Sequence, residues 1–292
     1  MLVTILPLLL AAHVAVHEDV YYTSSDWQRY GPECTYDVLV NMSLANIIQE
    51  NDNFCSMIAS ELKCRPKNSD TLSCRFVNGR IIRPEPDDTR CSNARNYVPI
   101  NEKFVNEDPF EIRFNKKGFE IENSHDRFVV MENSSVGYCE VEVKMSRAGY
   151  GRGNAVEHEG QVEIVFEPER PDLVPLNRAS LRIEKVRHTK ECPSRKIYFF
   201  GNHEDFSFGN KSTFMDTTSS ISHMHISHKE MYSYTESTGI MRALNRPRTM
   251  RLYQKISLSL KSINPARNSL PEIMEPASTS LYAYTNLPPV AE

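Results

Sequence analysis

The stretch DPFEIRFNKKGFEIENSHDRFVVMENSSVGYC, residues 108–139, constrains the fold more than any other part of the chain. Phe110, Ile112 and Phe114 alternate with Glu111, Arg113 and Asn115, the period of two that gives a strand one buried and one solvated face. Lys116, Lys117 and Gly118 turn the chain, and Cys139, Val141 and Val143 then alternate with Glu140, Glu142 and Lys144. Other segments read the same way. Tyr36, Val38, Val40 and Met42 alternate with Asp37, Leu39, Asn41 and Ser43. Residues 55–65 and 71–78 are two extended runs joined by Lys67, Asn68, Ser69 and Asp70, a hairpin signature. Val162, Ile164 and Phe166 form a further apolar face, and strand-like runs follow at 181–188, 196–200, 219–228, 231–238 and 250–262. No helical pattern occurs beyond the first residues. About ten strands in one chain predict an all-β, mostly antiparallel protein that closes into a large β-barrel and so removes its exposed edges.

With 292 residues, 40% hydrophobic and 25% charged, the chain can bury a sizeable core. A net charge of -4 gives no general attraction to nucleic acid or anionic membrane, so no nucleic-acid partner is expected. Residues 1–16, MLVTILPLLLAAHVAV, are uncharged, apolar and too short to span a bilayer; they read as a signal peptide, with a buried N-terminal strand as the other reading. A barrel over residues 17–263 and a Pro-rich linker or tail over 264–292 complete the expected organisation. The seven cysteines agree with a secreted, extracellular protein, and their odd number leaves at least one free or paired to another chain. Cys64 and Cys74 lie equidistant from Ser69 at the hairpin turn, so they are either bonded across the two strands or a pair of buried thiols. The pairing of Cys34, Cys55 and Cys91 stays open. Asn41, Asn133 and Asn210 each begin an Asn-X-Ser glycosylation sequon.

Motifs of catalysis are missing. The chain has no Gly-X-Ser-X-Gly elbow, no His-Glu-X-X-His and no P-loop, and the turn carrying Gly149, Gly151 and Gly153 lacks the Lys-Ser/Thr that would follow a phosphate loop. Alternation puts Ile221, His223 and His225 on one face and Met224, Ile226 and His228 on the other. Two histidines fall short of the three protein ligands a zinc site needs, so they read as surface residues of a solvent-facing strand. A binding or carrier module without catalytic activity, metal or cofactor is expected.

Five pieces of sequence, in order, carry a family likeness: YGPECTY at residues 30–36, PFEIRFNKKG at 109–118, VVMENSSVGYCE at 129–140, LRIEKVRHTKEC at 181–192, and LSLKSI before the Pro-rich tail. Together they resemble the N-terminal region of insect vitellogenins over residues 30–276. The resemblance implies the β-barrel of a lipid-transport module, a yolk precursor whose partners are lipid, a receptor of the low-density-lipoprotein-receptor family, or a longer vitellogenin-like chain. It also implies a Cys139–Cys192 disulfide. In the family an amphipathic helix is inserted between the strands that match here on either side of residues 119–128; only EIENSHDR separates Phe119 from Phe128, too little for that helix. A flattened barrel with both phenylalanines turned inward is therefore expected. The chain ends where the family's helical arch begins, which implies that the lipid-enclosing sheets are absent, and an incomplete gene product is one reading of that. The basic run Arg182, Lys185, Arg187, His188 and Lys190, opposed within the run by Glu184, aligns with the family's receptor-docking strand. Its other reading is a twisted or edge strand protected by charge. Two functions follow: the family's lipid carriage through docking, or a free-standing interaction protein that competes for the receptor and has lost its cargo.

Overall fold

Strand alternation builds the molecule from its first strand onward. The computed structural model describes residues 32–47, 53–68, 71–83, 98–100, 108–113, 127–134, 136–148, 180–195, 213–227, 230–243 and 249–273. In β1 (Pro32–Asn46), Tyr36, Val38, Val40, Met42 and Leu44 are buried and the residues between them are less so. The same rule governs β2 (Asn53–Asn68), β3 (Thr71–Arg83), β10 (Thr213–Ser227), β11 (Met231–Ala243) and β12 (Thr249–Pro265). Shorter strands are β4 (Val98–Ile100), β5 (Phe110–Arg113), β6 (Arg127–Ser134), β7 (Gly137–Ala148), β8 (Ser180–Arg187) and β9 (Ser194–Arg195). Among the described residues the one helical segment is a 3-10 turn, Thr189–Glu191.

These strands make one sheet in the order β4-β3-β2-β1-β12-β11-β10-β8-β7-β6, with β5 also on β3 and β9 also on β7. Neighbours along it are antiparallel throughout, so the expected all-β architecture is what the chain forms. Among the described residues no ladder joins β6 to β4 or β5. One face of the sheet is buried, and register keeps that face continuous. Val38 sits opposite Leu258 on β12 and Ser60 on β2, and Tyr36 sits opposite Leu62. Leu62, Leu252 and Leu258 are fully buried, each contributing about 1.5–3 kcal/mol relative to an exposed side chain. The main apolar cluster runs from Phe76 and Ile112 at one end of the sheet to Met224, Ile226 and Met231 near the other.

The hairpin of β2 and β3 pairs Asn68 with Thr71 and Cys64 with Cys74, and those two cysteines are bonded, with Cα atoms 4.1 Å apart. Farther along, two residues of β3 oppose one of β2 in a bulge where Asn78 takes φ 57°, a left-handed conformation that asparagine tolerates, and donates to Glu61 Oε2 at 2.9 Å. Cys139 on β7 is bonded to Cys192 after the 3-10 turn, with Cα atoms 4.0 Å apart. Cys55 is also disulfide-bonded. β12 continues through Pro265, into the stretch expected as tail, and the next residues are held. Arg65, paired to Glu33 at 2.6 Å, donates to the backbone carbonyl and side-chain oxygen of Asn268, each at 2.7 Å.

Cys34 is the free cysteine among the described residues, buried and in register with Cys64. Burial pushes its thiol up to about 11, the Glu33 charge adds to the rise, and a hydrogen bond with Tyr36 opposes it. Because the folded value lies above the ordinary 9.0, this group's contribution to stability is complete below about pH 9 and is lost as pH rises toward 11. Native protein at neutral pH is expected to leave Cys34 unlabelled by iodoacetamide, with labelling appearing on denaturation or above about pH 10. Labelling of the native protein at pH 7 at the rate of a free peptide thiol would contradict this burial.

Several expectations lie outside the described residues: the signal peptide, Cys91, Asn210, the turn at 149–153, the apolar face at 162–166, the run at 196–200 and Phe119. So does the side chain of Phe128.

Candidate functional site

Alternation along β8 divides the basic segment between the two faces of the sheet. Ile183, Lys185 and Arg187 lie opposite Met224, Ser222 and Ser220 of β10, all three of which are buried, so these odd positions belong to the inner face. Arg182 and Glu184 belong to the outer face, beside His225 and His223. His188 leads into the 3-10 turn, donating its backbone N–H to the Glu140 carbonyl at 3.0 Å, and Lys190 sits exposed within the turn. The five basic residues therefore do not form one surface.

Of the residues expected to dock, Lys185 and Arg187 thus lie on the inner face. Arg187 is only 4% exposed, and β8 is an interior strand between β7 and β10 rather than an edge. The charge that opposes Lys185 and Arg187 is Glu132 of β6, which lies opposite Cys139 on the same inner face. Lys185 Nζ is 2.8 Å from Glu132 Oε2, and Arg187 Nη2 is 3.5 Å from Oε1. Arg187 Nη1 donates to Ser222 Oγ at 2.7 Å, and Ser222 shares a 2.7 Å hydroxyl hydrogen bond with Thr235 of β11. Ser237 donates to Ser220 at 3.2 Å alongside them. Burial draws the Arg187 guanidinium below its usual range, and the Glu132 charge and hydrogen bond oppose that shift. Arg187 Nε and Ser233 Oγ have no hydrogen-bond partner among the described residues. The inner face is thus two-sided in character: aliphatic over β1, β2 and β12, and hydroxyl-lined with a charged cluster over β6, β8, β10 and β11. Glu132 was legible as a charge at a position two residues from Val130, on a face otherwise apolar.

On the outer face a groove of about 610 Å³ is lined by Arg127, Lys144, Arg182, His223, His225 and the tyrosines of β11. His223 lies 4.8 Å from the Tyr234 ring and His225 lies 5.1 Å from Tyr232, centre to centre. Glu184 pairs with Lys144 at 3.5 Å and approaches His223 Nδ1 at 3.7 Å. His225 is not the solvent-facing residue expected: it is 7% exposed, its Nε2 is 3.2 Å from Glu230, and its Nδ1 has no partner among the described residues. Packing against Tyr232 covers it, which alternation alone does not reveal. Arg182 is exposed and has no partner among the described residues. No group of three metal-ligating side chains occurs among the described residues. Asn41 is half-buried on the outer face of β1, between Lys255 and Met57, and Asn133 lies on β6 opposite Tyr138.

No family profile and no curated protein matches the sequence. A search of solved structures finds one described for the lipid–protein interactions of lipovitellin, with a TM-score of 0.51 over 84% of this chain at 8% sequence identity. The sheet is folded like lipovitellin's. This chain covers 26% of that one, so the likeness concerns a single part of the larger protein. Lipovitellin belongs to the vitellogenin family, and the fold here is vitellogenin-like. At this identity the agreement is one of strand arrangement. The inner-face cluster around Glu132 and the outer groove are described from this chain's own residues.

Proposed function

We propose that this chain is a secreted, non-catalytic lipid-transport module of the insect vitellogenin kind, which engages lipid over the inner face of its sheet and docks to a receptor or to a longer vitellogenin-like chain. The observation that carries the reading is the long sheet with one continuous buried face, aliphatic over β1, β2 and β12 and arranged as in lipovitellin. Secretion is supported by the disulfides Cys64–Cys74 and Cys139–Cys192, bonds that persist in oxidising compartments, and by the signal-like N-terminus. Docking draws on the basic residues that remain outward: Arg182, Lys190 and His188, with Lys185 and Arg187 committed to the inner face. Attraction of such exposed charges for an acidic receptor module raises the association rate and weakens with salt.

Native mass spectrometry and lipid extraction of the secreted, glycosylated protein test the carrier role; bound lipid is expected, and a lipid-free product that also takes up none from vesicles would overturn it. A second reading, a cargo-free docking protein, is favoured by the unpartnered Arg182 beside the outer groove. It is tested with the paired substitution Arg182→Glu and Lys190→Glu against an ectodomain of the low-density-lipoprotein-receptor family. Unchanged affinity and salt slope would remove docking at this strand.

A further inference from the structure

Two rows of side chains in register cross the outer groove of about 610 Å³. One runs Tyr232, His225, Arg182, Ser146 over β11, β10, β8 and β7, and the other runs Tyr234, His223, Glu184, Lys144, Arg127 from β11 to β6. The second row is compensated along its length: Glu184 lies between Lys144 and His223, and Arg127 pairs with Glu142. Lys255 covers one face of Tyr234, 4.1 Å from the centre of its ring. In the first row Glu230 engages His225, and Arg182 keeps its charge without a partner among the described residues. Tyr232 is 41% exposed, and the enclosed His225 backs its ring.

An exposed guanidinium beside an open aromatic ring suits a ligand that joins an oxyanion to a flat ring. The planar fork donates to the oxygens, and the flat ring stacks on the tyrosine. Tyr232 and Arg182 stand two strand spacings apart, roughly 10 Å between backbones, a gap that a nucleoside monophosphate spans from base to phosphate. Lys144 lies diagonally from Arg182 across the β7–β8 ladder, within reach of the same phosphoryl group. The groove has the volume of a small-molecule site. A nucleic-acid strand or an anionic membrane would need a run of free cations, and among the described residues lining the groove Arg182 alone is free.

We propose that the outer groove binds a nucleoside monophosphate, with the phosphoryl group on Arg182, Lys144 reaching it from β7, and the base on Tyr232. The site lies on the face opposite the apolar core, so it is independent of lipid carriage. It also gives Arg182 a small-molecule ligand in place of a receptor.

The test is calorimetric titration of the full chain with AMP, adenosine, inorganic phosphate and oligothymidylate, each alone. AMP is expected to bind about tenfold more tightly than adenosine or phosphate. Arg182→Gln should weaken AMP about tenfold and leave adenosine unchanged, and Tyr232→Ala should weaken both by a similar factor. Both side chains are exposed on the outer face, so neither substitution touches the apolar core. Equal binding of AMP and adenosine, equal binding of AMP and phosphate, or an AMP affinity unmoved by either substitution would overturn the site. Tighter binding of oligothymidylate than of AMP would assign the groove to a polymer and overturn the mononucleotide proposal, as would binding of none of the four.

Discussion

Replacing Cys139 or Cys192 with serine is expected to lower stability toward denaturant by about 4 kcal/mol, the larger of two disulfide effects in this chain. The bond joins residues 53 positions apart, from near the start of β7 to the segment after the 3-10 turn, and Cys139 is fully buried. The Cys64–Cys74 bond closes a loop of only 10 positions inside a hairpin already held by strand pairing. Loop-closure entropy grows with the logarithm of length, so breaking the shorter bond should cost about 1.5 kcal/mol less. Unfolding midpoints of Cys192→Ser and Cys74→Ser, each compared with the parent protein, measure the difference. A larger loss from the hairpin bond would show that chain entropy does not set the order.

Substituting Glu132→Gln is expected to cost about 3 kcal/mol, because it leaves Lys185 and Arg187 together on the inner face with no countercharge among the described residues. Removing one cation at the same time should recover part of that loss: Glu132→Gln with Arg187→Met is expected to be more stable than Glu132→Gln alone. The comparison separates charge from packing, since a simple loss of shape would make the double variant worse. If Glu132→Gln lies within 0.5 kcal/mol of the parent, the value typical of an ordinary surface change, the cluster is not buried as described.

Much of this fold is written in alternation, and alternation has a definite limit. It identified β1, the β2–β3 hairpin and β12, and the symmetry of Cys64 and Cys74 about Ser69 placed them opposite each other, with the disulfide left as one of two readings. What it does not contain is which strand lies beside which. A charged edge was one of two readings of β8, whereas β7 and β10 flank it. Glu132 stands 53 positions from Lys185, and nothing local to either residue links them. The inner side of β10 and β11 was hidden for a different reason. Ser220, Ser222, Thr235 and Ser237 look like a solvated face, yet they are buried because their hydroxyls bond to one another and to Arg187. The Cys139–Cys192 bond came from the likeness to vitellogenins, whose N-terminal sheet this one resembles in strand arrangement.

The pairing of β1 with β12 also sets a timetable for the ribosome. Ser257 donates to the Leu39 carbonyl across 218 positions of sequence, so the first strand of the sheet receives one of its two neighbours only after nearly all the others have been made. At a synthesis rate of about 5–20 residues per second, roughly 10–40 s separate the two strands. Throughout that interval β1 presents an unpaired backbone edge and an apolar face carrying Val38, Val40 and Met42 to whatever surrounds the nascent chain. Newly made copies on one polysome are thus exposed to mispairing with each other until β12 emerges, and a chaperone that occupies the β1 edge is expected to raise the yield of folded protein more than one acting after release.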